Sequence, residues 1–181
     1  MMDLEKLEAQ LAELPLFGYF HVDPRELEFN QRIRWICEHE CPMYGKTWAC
    51  PPAVGTVEEC KAKCLSYSSC LMVGTIAEVD GEYNMEKSLA TRPEHEHLTN
   101  QIRDFMRQQG VEPYILSTEA CAACDRCACL DGQPCRLPER MHPCIESHGI
   151  NMIPTLEENG LEFNFAAEVI TWYSLLFFNE D

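Results

Sequence analysis

Basic residues are scarce in this chain: 14 lysines and arginines stand against 30 aspartates and glutamates, a formal charge of −16 over 181 residues. Beyond Arg140 there is no Lys or Arg at all. Nucleic acid and anionic membrane surfaces both want a basic face, so this balance argues against either as a partner. A redox protein partner would have to present a basic patch of its own. Long apolar runs are lacking too. No segment approaches the roughly 18 residues of a membrane span, and the opening stretch from Met1 to Glu8 is acidic and amphipathic rather than signal-like. There is no Gly-rich phosphate loop, no Ser-His-Asp order and no His-Glu-x-x-His, which leaves the common phosphate-binding, serine-hydrolase and zinc-protease chemistries without their motifs. Repeats, low-complexity tracts and long linkers are also absent, so residues 1–181 are expected to form one domain, with 1–29 as an N-terminal helical extension.

Cysteine is what the chain has in excess. Twelve are present, just under the roughly 8–10% that marks a disulfide scaffold. With no export segment, a cytoplasmic location is expected, where clustered cysteines serve as ligands more often than as disulfides. Seven fall into two groups. Upstream stand Cys37-x3-Cys41-Pro42 and Cys50-Pro51-Pro52; downstream stand Cys121-x2-Cys124-x2-Cys127 and then Pro134-Cys135. Thiolates at such spacings converge only around something soft and positive, an iron–sulfur cluster or zinc.

The downstream triplet can wrap one corner of a cubane, because each two-residue gap turns the chain back on the same centre. Two arrangements compete. Cys121, Cys124, Cys127 and Cys135 can hold a single cluster alone. Alternatively the loops exchange a ligand, and Cys37, Cys41 and Cys50 help to hold a second centre. Seven cysteines cannot fill eight positions, so a second centre needs a non-cysteine ligand, another cysteine or an open iron site. Zinc is the other candidate, as a folding staple, although the short gap inside the triplet is unlike its usual two separated ligand pairs.

Cys60 and Cys64, four apart on a helix, and Cys70, opening a strand, read as small buried hydrophobes. Cys129 is a spare thiol or alternative ligand, and Pro143-Cys144 follows the downstream loop closely enough to compete as one. Lys46, Arg126, Arg136 and Arg140 lie close to candidate ligands and could stabilise a reduced, anionic cluster, or simply be solvated. Tyr44 and Trp48 could shield a cluster or pack beneath the loop. His95 and His97 are placed on a polar helical face, pointing apart. His142 and His148 flank the downstream helix; either could serve as a ligand or proton donor, but a surface role is expected.

The periodicities predict an α/β sandwich with a mixed sheet and two cysteine-rich metal-binding loops. Leu4, Leu7, Leu11 and Leu14 mark a helix stopped by Pro15, and residues 16–22 a strand. Asp23-Pro24-x-Glu26 reads as a helix start, and Thr56 as the cap of a helix through Cys64. Residues 70–79 read as a buried strand turning at Asp80-Gly81, and Leu98, Ile102, Phe105 and Met106 as the stripe of a helix ended by Gly110. Residues 112–118 form another strand candidate. Pro138 is expected to open a helix running to His148 and Gly149, and Pro154 to Asn159 another. The run from Val169 to Phe178 is apolar enough for the middle of a sheet.

Two long motifs carry a family resemblance. One is Cys37-x3-Cys41-Pro42-x-Tyr44-Gly45-Lys46-x-Trp48-x-Cys50-Pro51-Pro52. The other joins Cys121-x2-Cys124-x2-Cys127 to Pro134-Cys135-Arg136-x-Pro138-Glu139 and Glu146-x-x-Gly149-Ile150. Over roughly residues 30–178 the chain resembles the predicted metal-binding proteins grouped as domain of unknown function 2284, found in bacteria and archaea and frequent in anaerobes. The resemblance implies Cys37, Cys41, Cys50, Cys121, Cys124, Cys127 and Cys135 as the ligand set. The chain departs from the family's usual Ser at Cys144 and its usual Asp at Asn151. The expectation is a cytoplasmic protein holding one or two 4Fe-4S clusters, with an electron-transfer or accessory redox role in anaerobic metabolism. Two others stand beside it: a zinc-stapled binding module, and an enzyme using an open iron site or a free thiolate such as Cys144.

Overall fold

The computed structural model describes residues 2–81, 84–166 and 168–180. Its centre is β6 (Val169–Phe178), the apolar run, which pairs along its whole length with β3 (Ser69–Glu78). β1 (Gly18–Val22) flanks β3, and β4 (Tyr114–Leu116) flanks β6, giving the order β1-β3-β6-β4 with every ladder antiparallel. The sheet expected to be mixed is thus antiparallel; the parallel pairing of Ser117 with Cys144 is an isolated bridge outside the named strands, just past the end of β4.

Because strand side chains alternate, β3 and β6 supply both faces of the sheet. One face carries Leu71, Val73, Leu176 and Phe178, which pack with Leu7 and Leu11 of α1 (Leu4–Ala12) and Ile102 and Met106 of α5 (Arg92–Gln108). The other carries Cys70, Met72, Tyr173, Leu175 and Phe177. It is covered by α3 (Val57–Leu65), α6 (Met152–Glu158), Ile145 and Ile150. Each such side chain withdrawn from water stabilises the fold by roughly 1.5–3 kcal/mol. The result is the expected sandwich: helix layers on both faces of a sheet. The residues before position 30 are more than a helical extension, since β1 forms the sheet's edge.

Local chemistry explains most boundaries. Thr56 and Glu59 form a reciprocal capping box at the start of α3. Gly74 is required in β3, because a Cβ there would stand 2.6 Å from the ring of Tyr173. Asp23 caps only a single 3-10 turn, Pro24–Glu26, and the helix expected from it does not continue. The following helix, α2 (Gln31–His39), starts instead from Asn30, whose side chain accepts from the Arg32 amide. The helix expected from Pro138 to His148 is likewise two isolated turns, Pro138–Arg140 and Glu146–His148. Between them the backbone of 143–145 pairs with Ser117: the Ser117 amide donates to Pro143 at 2.9 Å, and the Ile145 amide to Ser117 at 2.9 Å. Those groups cannot also serve a helix. Gly149 ends the second turn at φ +72°, as its position suggested. Also present are α4 (Met85–Ala90) and a two-residue pairing of β2 (Glu28–Phe29) with β5 (Ile150–Asn151).

The histidines differ from expectation. His95 does not lie on a polar face: it is buried between α5 and the sheet, 2.9 Å from Thr75 Oγ1 and 2.7 Å from Ser174 Oγ. His148 is equally buried, 2.7 Å from the Tyr114 hydroxyl, and His142 is buried against Asn100 Oδ1 at 2.9 Å. The network around each makes up for the loss of water. Desolvation, which disfavours the imidazolium, is the largest cause lowering the pKa of His95 and of His148 from 6.5 to about 4. Between those values the unfolded chain binds protons that the folded chain does not. Stability from these two groups is therefore complete above pH 6.5 and is lost as the pH falls towards 4. Urea unfolding at about pH 5 is expected to take up about two protons through them. A shallower fall in stability from pH 7 to 5 in the His95→Gln, His148→Gln double variant than in the parent checks the assignment.

Candidate metal centre

Cys37 lies in the last turn of α2, Cys41 just beyond the helix, and Cys50 in the turns that precede α3. All three line a cavity of about 270 Å³ whose wall also holds Ile33, Ile36, Tyr44, Pro51, Glu119, Ala120, Cys144 and Glu146. The wall is largely apolar, and desolvation is the chief cause pushing the Cys37 thiol up to about 12, with Glu146, Cys41 and Cys50 adding to it and Arg34 opposing. Desolvation also raises the Cys50 thiol.

Three features hold the upstream loop in place. Arg34, a buried guanidinium on α2, donates from Nε to the Ser147 carbonyl at 2.8 Å and from Nη1 to the Gly55 carbonyl at 2.7 Å. Its Nη2 stands 3.6 Å from Cys60 Sγ. The Cys144 amide donates to the Ala49 carbonyl at 3.1 Å, beside Cys50. Trp48 donates from Nε1 to the Gln133 carbonyl at 3.0 Å, tying the upstream loop directly to the downstream one.

The downstream group occupies the irregular stretch from Cys121 to Cys135, with Cys121, Cys124, Cys127 and Cys135 all half-buried. Cys121 opens onto a second cleft of about 670 Å³, between this loop and α5, with Arg92, Glu96, His97, Asn100, Arg140 and His142 on its walls. The Cys121 thiol is raised chiefly by desolvation; Arg92 pulls it down, and Cys135 and Cys127 push it up. Glu119 and Ala120 belong to the walls of both cavities. Glu119 also adopts φ +62°, a strained backbone for a residue with a side chain. Its surface opens into the cavities, yet protein rings the carboxyl, and that desolvation, with the charge of Glu146, raises its pKa.

All twelve cysteines are unpaired. Cys60, Cys64 and Cys70 are buried as expected, Cys64 and Cys70 within the core beneath the sheet. The cationic residues differ in placement. Arg126 pairs with Asp131 at 2.6 Å, Arg136 donates to the Arg126 carbonyl, and Lys46 is exposed. Arg140 reaches the cleft beside Cys121. Among the described residues, no three Cys, His, Asp or Glu side chains are gathered as they stand into a group that could hold a metal ion. What is assembled is the wall: Cys37, Cys41, Cys50 and Cys144 on one cavity and Cys121 on the adjoining one.

Arg34, Arg92, Glu119 and Glu146 are the residues of this site that spacing alone did not single out as donors or clamps. Arg34 sits between Ile33 and Trp35 on α2 and carried no signal; Glu146 was visible only inside a family motif. Replacing Arg34 removes the donor to two carbonyls at once. Arg34→Met is expected to destabilise the fold by about 2–4 kcal/mol, since a buried acceptor left without its donor costs about 1–3 kcal/mol each, partly offset by solvent entry. A urea midpoint within error of the parent's would show that the clamp is not needed.

Among known proteins, the chain matches, over residues 21–178, the family described as predicted metal-binding protein, domain of unknown function 2284. No curated protein and no solved structure matches it.

Proposed function

The chain belongs to this family of predicted metal-binding proteins, and from that premise we propose that it is an iron–sulfur protein that moves electrons, serving an anaerobic pathway in the cytoplasm. One observation carries the reading. Cys37, Cys41 and Cys50 line one cavity and Cys121, far along the sequence, lines another, and the two share the Glu119–Ala120 wall. The donor chemistry fits the group: the sulfur donors are thiols, the softest ligands a protein offers, with Cys50 buried and the others half-buried.

Cys37, Cys41 and Cys50 would hold one centre, and Cys121, Cys124, Cys127 and Cys135 the other. A cluster so bound supplies reversible one-electron transfer. The protein's part is to orient and to shield. Ile33, Ile36 and Pro51 keep the upstream donors dry. Arg92 and Arg140, in an otherwise acidic chain, line the cleft that Cys121 opens onto; Arg92 favours the Cys121 thiolate, and both would stabilise a reduced, anionic centre. Among the described residues no helix is long and apolar enough to cross a membrane. The acidic surface suits a soluble redox partner that presents a basic patch.

The whole chain, purified under strict anaerobiosis, is expected to be brown, to contain iron and acid-labile sulfide, and to lose its visible absorption on adding dithionite. A colourless, iron-free preparation made under those conditions contradicts the proposal. Stoichiometric zinc in that preparation, with unfolding on addition of a chelator, would assign the cysteines to a folding staple instead.

A further inference from the structure

Building on the metal-binding reading above, we infer that Cys144 is the fourth thiolate of the upstream centre. Its thiol faces the cavity lined by Cys37, Cys41 and Cys50. Four sulfur donors and two carboxylates therefore surround one space of about 270 Å³.

The placement of Cys144 is set by backbone hydrogen bonds to Ala49 and around Ser117. Its amide is bonded to the carbonyl of Ala49, the residue before Cys50, at 3.1 Å. The residues on either side of it, Pro143 and Ile145, are both bonded through their backbones to Ser117 at the end of β4. The side chain is buried, and its Sγ donates to Glu146 Oε2 at 2.7 Å, another group of the same wall. Glu146 thus orients the thiol. On loading, the S–H bond breaks, its proton passes to solvent, and a sulfur–metal bond takes its place.

The alternatives are less well placed. Cys60 is engaged with the Val54 carbonyl at 3.3 Å and with Arg34. Cys64 and Cys70 lie in the core beneath the sheet. Cys129 does not line the upstream cavity. Glu146 and Glu119 offer hard oxygen donors, which suit a thiolate-rich soft centre less well. With Cys144 included, the donors divide evenly: Cys37, Cys41, Cys50 and Cys144 for one centre, and Cys121, Cys124, Cys127 and Cys135 for the other. The shortfall of seven cysteines for eight positions disappears.

The test is anaerobic loading of the full chain with ferrous iron and sulfide, followed by iron and sulfide per chain and the visible and EPR spectra. Parent, Cys144→Ala, Cys144→Ser, Cys37→Ser, Glu146→Gln and Cys64→Ser are compared. Cys144→Ala is expected to lose as much iron as Cys37→Ser, about half the parent's content when two equal clusters are held. Cys64→Ser, in the core, keeps the parent's content. Cys144→Ser keeps the shape of the side chain, so it guards against misfolding of the alanine variant. Its spectrum is expected to shift, and its affinity for the upstream iron to fall by at least about tenfold, the scale of even an outer-sphere loss. Parent-like iron and spectra in both Cys144 variants, with iron lost in Cys37→Ser, overturn the role of Cys144 and leave the wider reading intact. So does a loss confined to Glu146→Gln, which would make the carboxylate the ligand. A parent that takes up neither iron nor zinc overturns both. Where zinc loads in place of iron, zinc per chain is read across the same variants.

Discussion

A short backbone splice beyond the end of β4 holds the two cysteine loops side by side. Ser117 both donates to Pro143 and accepts from Ile145, while the Cys144 amide between them reaches the Ala49 carbonyl. Three segments remote in sequence are joined there by three hydrogen bonds, on the rim of a sheet whose centre is β6, buried from Ile170 to Phe178. Fixing each loop residue costs about 1–2 kcal/mol of backbone entropy, and the cysteine loops bury little apolar surface of their own. Their order is borrowed from the sheet through this splice, from the Trp48 bond to Gln133 and from the Arg34 clamp.

The same geometry sets the electrostatics. An acidic chain places two of its few cations, Arg34 and Arg92, beside the cysteine loops and buries both. Arg34 opposes the rise in the Cys37 pKa, and Arg92 that of Cys121. Each also bonds loop carbonyls: Arg34 those of Ser147 and Gly55, and Arg92 that of Ala120. Structural and electronic roles therefore coincide in the same guanidiniums, and a substitution at either would alter the shape of a cavity together with its potential.

Much of the fold was legible in the sequence because its signals are local. The unbroken apolar run of β6, the Leu98–Ile102–Met106 stripe of α5 and the Thr56–Glu59 capping box each state their structure within a few residues. The failures have a common cause in long-range partners. Pro138 opens a turn, but the backbone of Pro143 to Ile145 is taken by Ser117, so the helix expected there cannot form. His95, His142 and His148 look like surface residues until Thr75, Asn100 and Tyr114 supply bonding partners that make their burial tolerable. At the site, spacing identified the cysteine groups. It could not show that Glu119 stands between two cavities, or that Cys144, which follows the downstream loop in sequence, faces the upstream one. Adjacency of that kind is decided by the splice, which no local pattern encodes.

The central claim is that both thiol groups converge on metal at adjoining sites. Anomalous diffraction at the iron edge, from crystals of the anaerobically loaded protein, addresses it directly. The account predicts two peaks of anomalous density. One is ringed by Cys37, Cys41, Cys50 and Cys144, the other by Cys121, Cys124, Cys127 and Cys135, with Glu119 and Ala120 between them. Cysteines joined in disulfide pairs, or iron bound away from both loops, would contradict it.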